Sequence, residues 1–265
     1  MSVSEGRASV SFRIGCVKYL NAQPLIYGWP DEVDFDHPAA LCRKLADAEL
    51  DVALVSSFEF LRHPIYAVAD GVAIAADGPV YSVFLALAGT IDEVTEVELD
   101  LASQTSVNLA RCLLAERGLR PKMVAPAPDE EISITRTRAK LMIGDQAISF
   151  RKQHGSRYEY WDLAARWKVS TGLPFVFALW LIRPEVKNAQ ILAESLRKRR
   201  DENLASLDQV IAAQAGFSPE FCAYYFRDCL RYEFGSAEKE GLLRFRSLCE
   251  QHGILQPNAT VLRLV

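Results

Sequence analysis

Short apolar runs recur along most of this chain, and each one stops at a loop of small polar residues. Phe12 to Val17 leads into Tyr19-Leu20-Asn21-Ala22-Gln23-Pro24, and Asp51 to Val55 stops at Ser56-Ser57. Val97 to Ala102 opens onto Ser103-Gln104-Thr105-Ser106, and Lys140 to Ile143 ends at Gly144-Asp145. Apolar runs of this length between turn residues read as buried strands. Helical patterns lie between them: Pro38 to Ala48, where Leu41 and Leu45 share a face, and Val107 to Gly118, closed by its glycine. A β-loop-α-β order favours an α/β fold with a parallel sheet and puts ligand sites at the carboxyl ends of its strands.

The remaining segments extend the pattern. Ile65 to Ala76 reads as a strand reaching the turn Asp77-Gly78-Pro79, and Tyr81 to Ala88 as the next. Tyr158 to Val169 carries Trp161, Ala164 and Trp167 at helical spacing, and Pro174 to Ile182 is a long apolar strand. After Pro184 the spacing is helical. Ile191 to Ala215 is amphipathic, with Lys198, Arg199, Arg200 and Asp201 assigned to a solvated face. Ser218-Pro219-Glu220 is a capped helix start, and Ser236 to Gln251 is the last helix. Two α/β units joined by two crossings, near Ser82 to Thr90 and near Phe175 to Arg183, account for this order. The expectation is a first lobe of residues 1–88 plus 183–265, with the C-terminal helices packed on it, and an inserted second lobe of residues 89–182. A central cleft would lie between them. A single Rossmann-like sheet produces a similar pattern.

Composition narrows the function classes. The chain has 265 residues and a formal net charge of −4, so no global positive field recruits nucleic acid and any anion is held locally. No segment approaches the roughly 20 apolar residues of a membrane span. Met1 to Val10 lacks a basic region followed by an apolar core, so the reading is a cytoplasmic protein. Cys16, Cys42, Cys112, Cys222, Cys229 and Cys249 form no CxxC pair and read as buried free thiols. His37, His63, His154 and His252 show no metal-ligand spacing, and no nucleotide or serine-hydrolase motif occurs. The sequence therefore makes no case for a metal or an organic cofactor.

The candidate site residues are the polar ones at strand ends: Asn21, Ser56, Ser57, Ser82, Ser103 to Ser106, Gly144 and Asp145. Helix starts expose N–H groups and the positive end of the helix dipole, which cradle carboxylates without help from Arg or Lys. Each residue also has a plainer role: the serines and Asp145 as helix caps, Asn21 as a turn residue before Pro24. Tyr224, Tyr225 and Phe226 with Phe221 and Cys222 read as core packing, and Arg197 to Arg200 as a solvated face.

In Ile14-Gly15-Cys16-Val17-Lys18-Tyr19-Leu20-Asn21-Ala22-Gln23-Pro24-Leu25, Asp51-Val52-Ala53-Leu54-Val55-Ser56-Ser57 and Gly78-Pro79-Val80-Tyr81-Ser82-Val83 the sequence resembles the chorismate dehydratases of the futalosine menaquinone pathway. Ser103-Gln104-Thr105-Ser106, Ile143-Gly144-Asp145, and Trp167 followed by Thr171-Gly172-Leu173-Pro174-Phe175-Val176-Phe177-Ala178-Leu179-Trp180 carry the same likeness. The resemblance implies the two-lobed type II periplasmic-binding-protein-like fold. It also implies removal of water from chorismate, a dianionic ring acid, to give 3-[(1-carboxyvinyl)oxy]benzoate. On the same resemblance, Asn21 and Ser82 stand beside the reacting carbons, and Ser56, Ser57, Thr105 and Ser106 hold the two carboxylates. Ser103, Gln104, Gly144 and Asp145 complete the expected substrate-binding set. The proton acceptor stays open between Asp145 and the substrate's own enolpyruvyl carboxylate. Tyr81 departs from the basic residue typical of the family. The sister dihydroxynaphthoate synthase carries a catalytic histidine near the position of Gly144-Asp145, which this chain lacks. A non-catalytic binding module for small carboxylates would share the fold but would normally be exported.

Overall fold

Every residue of the strand β1 (Ile14–Val17) is buried, because strands cover both its edges and helices its faces. In the computed structural model, which describes residues 11–100, 103–126, 134–257 and 261–265, β1 runs parallel to β2 (Val33–Asp36) and to β3 (Val52–Ser56). β4 (Ala67–Ala76) closes this first sheet, and the long β10 (Phe175–Ile182) fits between β3 and β4, antiparallel to both, giving the order β2-β1-β3-β10-β4. The second sheet comprises β5 (Val83–Leu87), β6 (Glu96–Glu98), β7 (Lys122–Val124), β8 (Arg138–Ile143) and β9 (Glu159–Asp162), in the order β7-β6-β8-β5-β9. Both sheets are mixed rather than parallel throughout, since β5 is antiparallel to β8 and β9.

The helices are α1 (Gln23–Ile26), α2 (Pro38–Ala46), α3 (Ser57–Arg62), α4 (Gln104–Glu116), α5 (Gly144–His154), α6 (Leu163–Thr171), α7 (Ala189–Ala205), α8 (Leu207–Ala212), α9 (Pro219–Tyr224) and α10 (Ser236–Gln251). Their starts follow local rules. Pro38 and Pro219 occupy first turns, and Ser218 accepts the Phe221 N–H as a cap. Met1 to Val10 and the last two residues of the strand expected over Val97 to Ala102 lie outside the described residues.

Sheet membership differs from the division expected at 88/89 and 182/183. Val83–Leu87 pairs in the second sheet and Phe175–Ile182 in the first. The chain thus changes sheets at Asp77 to Ser82 and again at Gly172 to Pro174. The apolar character of these strands reports burial, not which sheet buries them. Trp161 belongs to the edge strand β9 and not to a helix with Trp167; Asp162 then caps α6 by accepting the Ala165 N–H.

The C-terminal helices hold the two crossings. α7 packs on β4 and α1, while α10 lies against β10 and reaches α4 beside the second sheet. A Cβ on Gly241 of α10 would sit 2.1 Å from the Pro174 carbonyl oxygen, so glycine is what lets that helix touch the second crossing. Trp167, which donates to the same carbonyl at 3.1 Å, joins Phe175 and Phe245 in one buried aromatic group there. Burying each phenylalanine contributes about 1.5–3 kcal/mol. Arg200 departs from the expected solvated face: it is buried and donates to the carbonyls of Gly71 and Tyr232. All six cysteines are free thiols, and Cys42 is half-buried.

Candidate active site in the cleft between the sheets

Asn21 follows β1 in a single 3₁₀ turn, Leu20–Ala22, and Pro24 then starts α1. Its Oδ1 is buried with no hydrogen-bond partner among the described residues. A buried carbonyl left unpaired costs about 1–3 kcal/mol, a cost a ligand donor removes. Ser56 ends β3 at the start of α3 but does not spend its hydroxyl on that helix. Instead Ser56 Oγ accepts the Thr105 N–H at 3.1 Å and meets the Thr105 hydroxyl.

Ser82 ends the first crossing, immediately before β5, and is 1% exposed. Its Oγ lies 2.6 Å from the Tyr225 hydroxyl. The backbone leading to it is strained: Tyr81 has φ +68°, and the Ser82 N–H reaches back to the Val80 carbonyl at 2.8 Å. Asp162 stabilises that turn by accepting the N–H groups of Val80 and Tyr81. Burial pushes the Asp162 carboxyl up from the ordinary range, against the pull of these hydrogen bonds. The Arg151 guanidinium stacks on the Tyr81 ring, 4.3 Å from its centroid.

The other wall comes from the second sheet. Ser103 caps α4 by accepting the Ser106 N–H at 3.2 Å and donates to Ser106 Oγ at 3.0 Å. Gly144 opens α5 with φ +58°, where a Cβ would also meet the Tyr19 ring at 3.3 Å. Tyr19 itself is pushed up to about 12 by burial and by the charges of Asp100 and Asp145, so its phenol stays protonated at neutral pH.

These walls enclose a narrow cavity with about 60 Å³ of space for the centre of a water-sized sphere. Of the expected site residues, Asn21, Ser56, Ser82, Ser103, Ser106 and Gly144 line it. Tyr19, Val80, Phe177 and Leu230 line it too, and among the described residues the lining contains no Asp, Glu, His, Lys or Arg. The starts of α4 and α5 open on it, so the positive ends of two helix dipoles meet there.

Ser57, Gln104, Thr105 and Asp145 do not line the cavity. Ser57 donates to the Val176 carbonyl at 2.7 Å, and Thr105 Oγ1 accepts the Phe58 N–H at 3.1 Å. With Ser56 these hydroxyls tie α3 of the first unit to α4 of the second. Gln104 is exposed. Asp145 accepts the Leu20 N–H at 2.9 Å, a second tie across the cleft, and burial raises its pKa despite that bond. Sequence reasoning missed Tyr225, assigned wholly to the core, and Asp162. Nothing in a local pattern distinguishes a tyrosine buried for its ring from one buried with its hydroxyl on a site.

A family model described as menaquinone biosynthesis matches residues 12–251. The chorismate dehydratase of Thermus thermophilus is 31% identical over 253 residues, spanning 88% of this chain and 93% of that relative. The chorismate dehydratase of Campylobacter jejuni is 26% identical over 235 residues, spanning 88% and 91%. Among solved structures, the alkanesulfonate-binding protein of Xanthomonas axonopodis pv. citri bound to MOPS superposes with a TM-score of 0.66 at 14% identity, covering 96% of this chain and 97% of that one. That likeness carries the fold alone, the two-lobed architecture of periplasmic binding proteins.

Proposed function

The chain belongs to the menaquinone biosynthesis family, and from that premise we propose that it dehydrates chorismate to 3-[(1-carboxyvinyl)oxy]benzoate in the cleft between its two sheets. The observation that carries the reading is the cavity's lining, which among the described residues holds buried hydroxyls, an unpaired amide oxygen, two helix starts and no charged side chain. Such a site suits a dianion whose carboxylates are held by N–H groups, dipoles and serine hydroxyls.

In this proposal the starts of α4 and α5, with Ser103, Ser106 and Ser56, take the carboxylates. Asn21 and Ser82 flank the ring. The ring C–H bond breaks and its electron pair becomes a ring double bond as the neighbouring C–O bond breaks; proton and hydroxyl leave as water. The ring becomes aromatic, so the reaction runs strongly downhill. The protein lowers the barrier by orientation and by hydrogen bonding to the departing oxygen. Among the described residues the lining offers no carboxylate or imidazole as base, and Asp145 is committed to Leu20. We assign the proton to the substrate's enolpyruvyl carboxylate, since a cleft that gathers a dianion disfavours a further carboxylate nearby. The proposal includes a cytoplasmic location.

The test is to mix the purified protein with chorismate and follow the loss of the cyclohexadiene absorbance, identifying the product by chromatography. Conversion to the enolpyruvyl benzoate is expected. Binding without conversion would make the protein a carboxylate-binding module instead.

A further inference from the structure

The Ser82 hydroxyl has a neighbour that packing alone does not call for. Tyr225 opens the π-helical turn Tyr225–Cys229 and is fully buried, its ring stacked on Phe221 at 5.6 Å and 15°. Such packing leaves the ring one orientation, and in that orientation its hydroxyl lies 2.6 Å from Ser82 Oγ. π-Helical turns are rare and concentrate at functional sites. Here the wider turn, which follows α9 directly, carries the phenol toward the first crossing from the far side of the cavity wall.

Ser82 is thus held twice. Asp162 fixes the strained backbone before it, through the N–H groups of Val80 at 3.0 Å and Tyr81 at 2.9 Å. Tyr225 fixes its side chain. A serine hydroxyl otherwise rotates to suit whichever acceptor is nearest. Between a phenol and an alkyl hydroxyl the phenol is much the stronger acid, so the favoured direction is Tyr225 O–H donating to Ser82 Oγ. One lone pair of Ser82 is then occupied by a residue that does not line the cavity, which leaves the serine's own proton free for an acceptor in the cavity that Ser82 lines.

We propose that Tyr225 is a positioning residue for the dehydration, acting through Ser82 by directing the serine proton at the departing hydroxyl of the substrate. The proposal rests on the reading of the cavity as a chorismate-dehydrating site. No proton changes hands between Tyr225 and Ser82: the phenol orients and polarises, and the serine hydrogen bond strengthens as negative charge grows on the departing oxygen. Interactions of that kind raise kcat with little effect on ground-state binding. Burial holds the phenol pKa well above its ordinary value, so Tyr225 stays a donor across the range in which the enzyme works.

The experiment is a double-mutant cycle on the full chain with chorismate: wild type, Tyr225→Phe, Ser82→Ala and the double variant, with kcat and KM for each. Tyr225→Phe is expected to lower kcat about 10–100-fold, less than direct loss of a transition-state donor, with KM within about threefold. In the Ser82→Ala background the same change is expected to lower kcat no further, because its target is gone. Wild-type kcat in Tyr225→Phe, or the same loss with and without Ser82, would overturn the proposal. If Tyr225→Phe does not fold, 3-fluorotyrosine at position 225 replaces it. A kcat that moves with the stronger donor in the Ser82 protein but not in Ser82→Ala supports the proposal, and an unmoved kcat overturns it. If wild type does not convert chorismate at all, it is the functional reading that fails.

Discussion

Asp162 accepts the Tyr81 N–H at 2.9 Å across the place where the chain first passes from one sheet to the other. Through that bond a buried carboxylate at the end of β9 sets the backbone that presents Ser82. Asp162→Asn offers one carbonyl oxygen where the carboxylate offers two, and an NH₂ then faces N–H groups. The variant is expected to lose about 1–3 kcal/mol in urea unfolding. It should also lose turnover, because Ser82 shifts.

Asn21 costs the fold stability for its place in the site, since its Oδ1 is buried with no hydrogen-bond partner among the described residues. Asn21→Ala is expected to leave the unfolding midpoint unchanged or slightly raised while kcat falls about 10²–10³-fold. Ser82→Ala should lose turnover on a similar scale and fold normally. Wild-type rates in both would remove these residues from the site.

Asp145 separates the two candidate bases. Asp145→Asn keeps an oxygen for the Leu20 N–H and removes a buried charge, so turnover is expected to stay within about threefold of wild type. A loss of several orders of magnitude would make Asp145 the base. The stability profile adds a second check. Burial raises the folded pKa of Asp145 above its unfolded value. Its carboxyl therefore favours the fold below the unfolded pKa, near 3.9, and loses that contribution as pH rises through the folded pKa. The stability of Asp145→Asn relative to wild type should rise across that window in urea unfolding at a series of pH values.

Gly144→Ala places a side chain at φ +58° and a Cβ at 3.3 Å from the Tyr19 ring. The expected cost is about 1–3 kcal/mol in unfolding, together with a raised KM, because the start of α5 must move away from the cavity. An unchanged KM would detach that helix start from substrate binding.

How much of this was legible beforehand varies from one kind of residue to another. Strands β1 and β3, the capped start at Ser218 and the last helix, Ser236–Gln251, follow from apolar runs and capping rules that act within a few residues. Asn21, Ser56, Ser82, Ser103, Ser106 and Gly144 were legible for the same reason, as polar residues at strand ends. Partnership over long range was not. Val83–Leu87 and Phe175–Ile182 look like any buried strand, yet each pairs in the opposite sheet from the one expected. Thr105 and Ser57 carry hydroxyls like those of Ser106, but that of Thr105 ties α4 to α3 and that of Ser57 donates to the Val176 carbonyl of β10. Arg200 reads as solvated from its charged neighbours and is buried because two backbone carbonyls, at Gly71 and Tyr232, require a donor.

The most direct test of the central claim is a crystal structure of the protein with 3-[(1-carboxyvinyl)oxy]benzoate bound. The ring is expected between Asn21 and Ser82, with its carboxylates at the starts of α4 and α5 and no cationic side chain within hydrogen-bond reach. Product density outside this cleft, or a carboxylate paired with Arg or Lys, would contradict it.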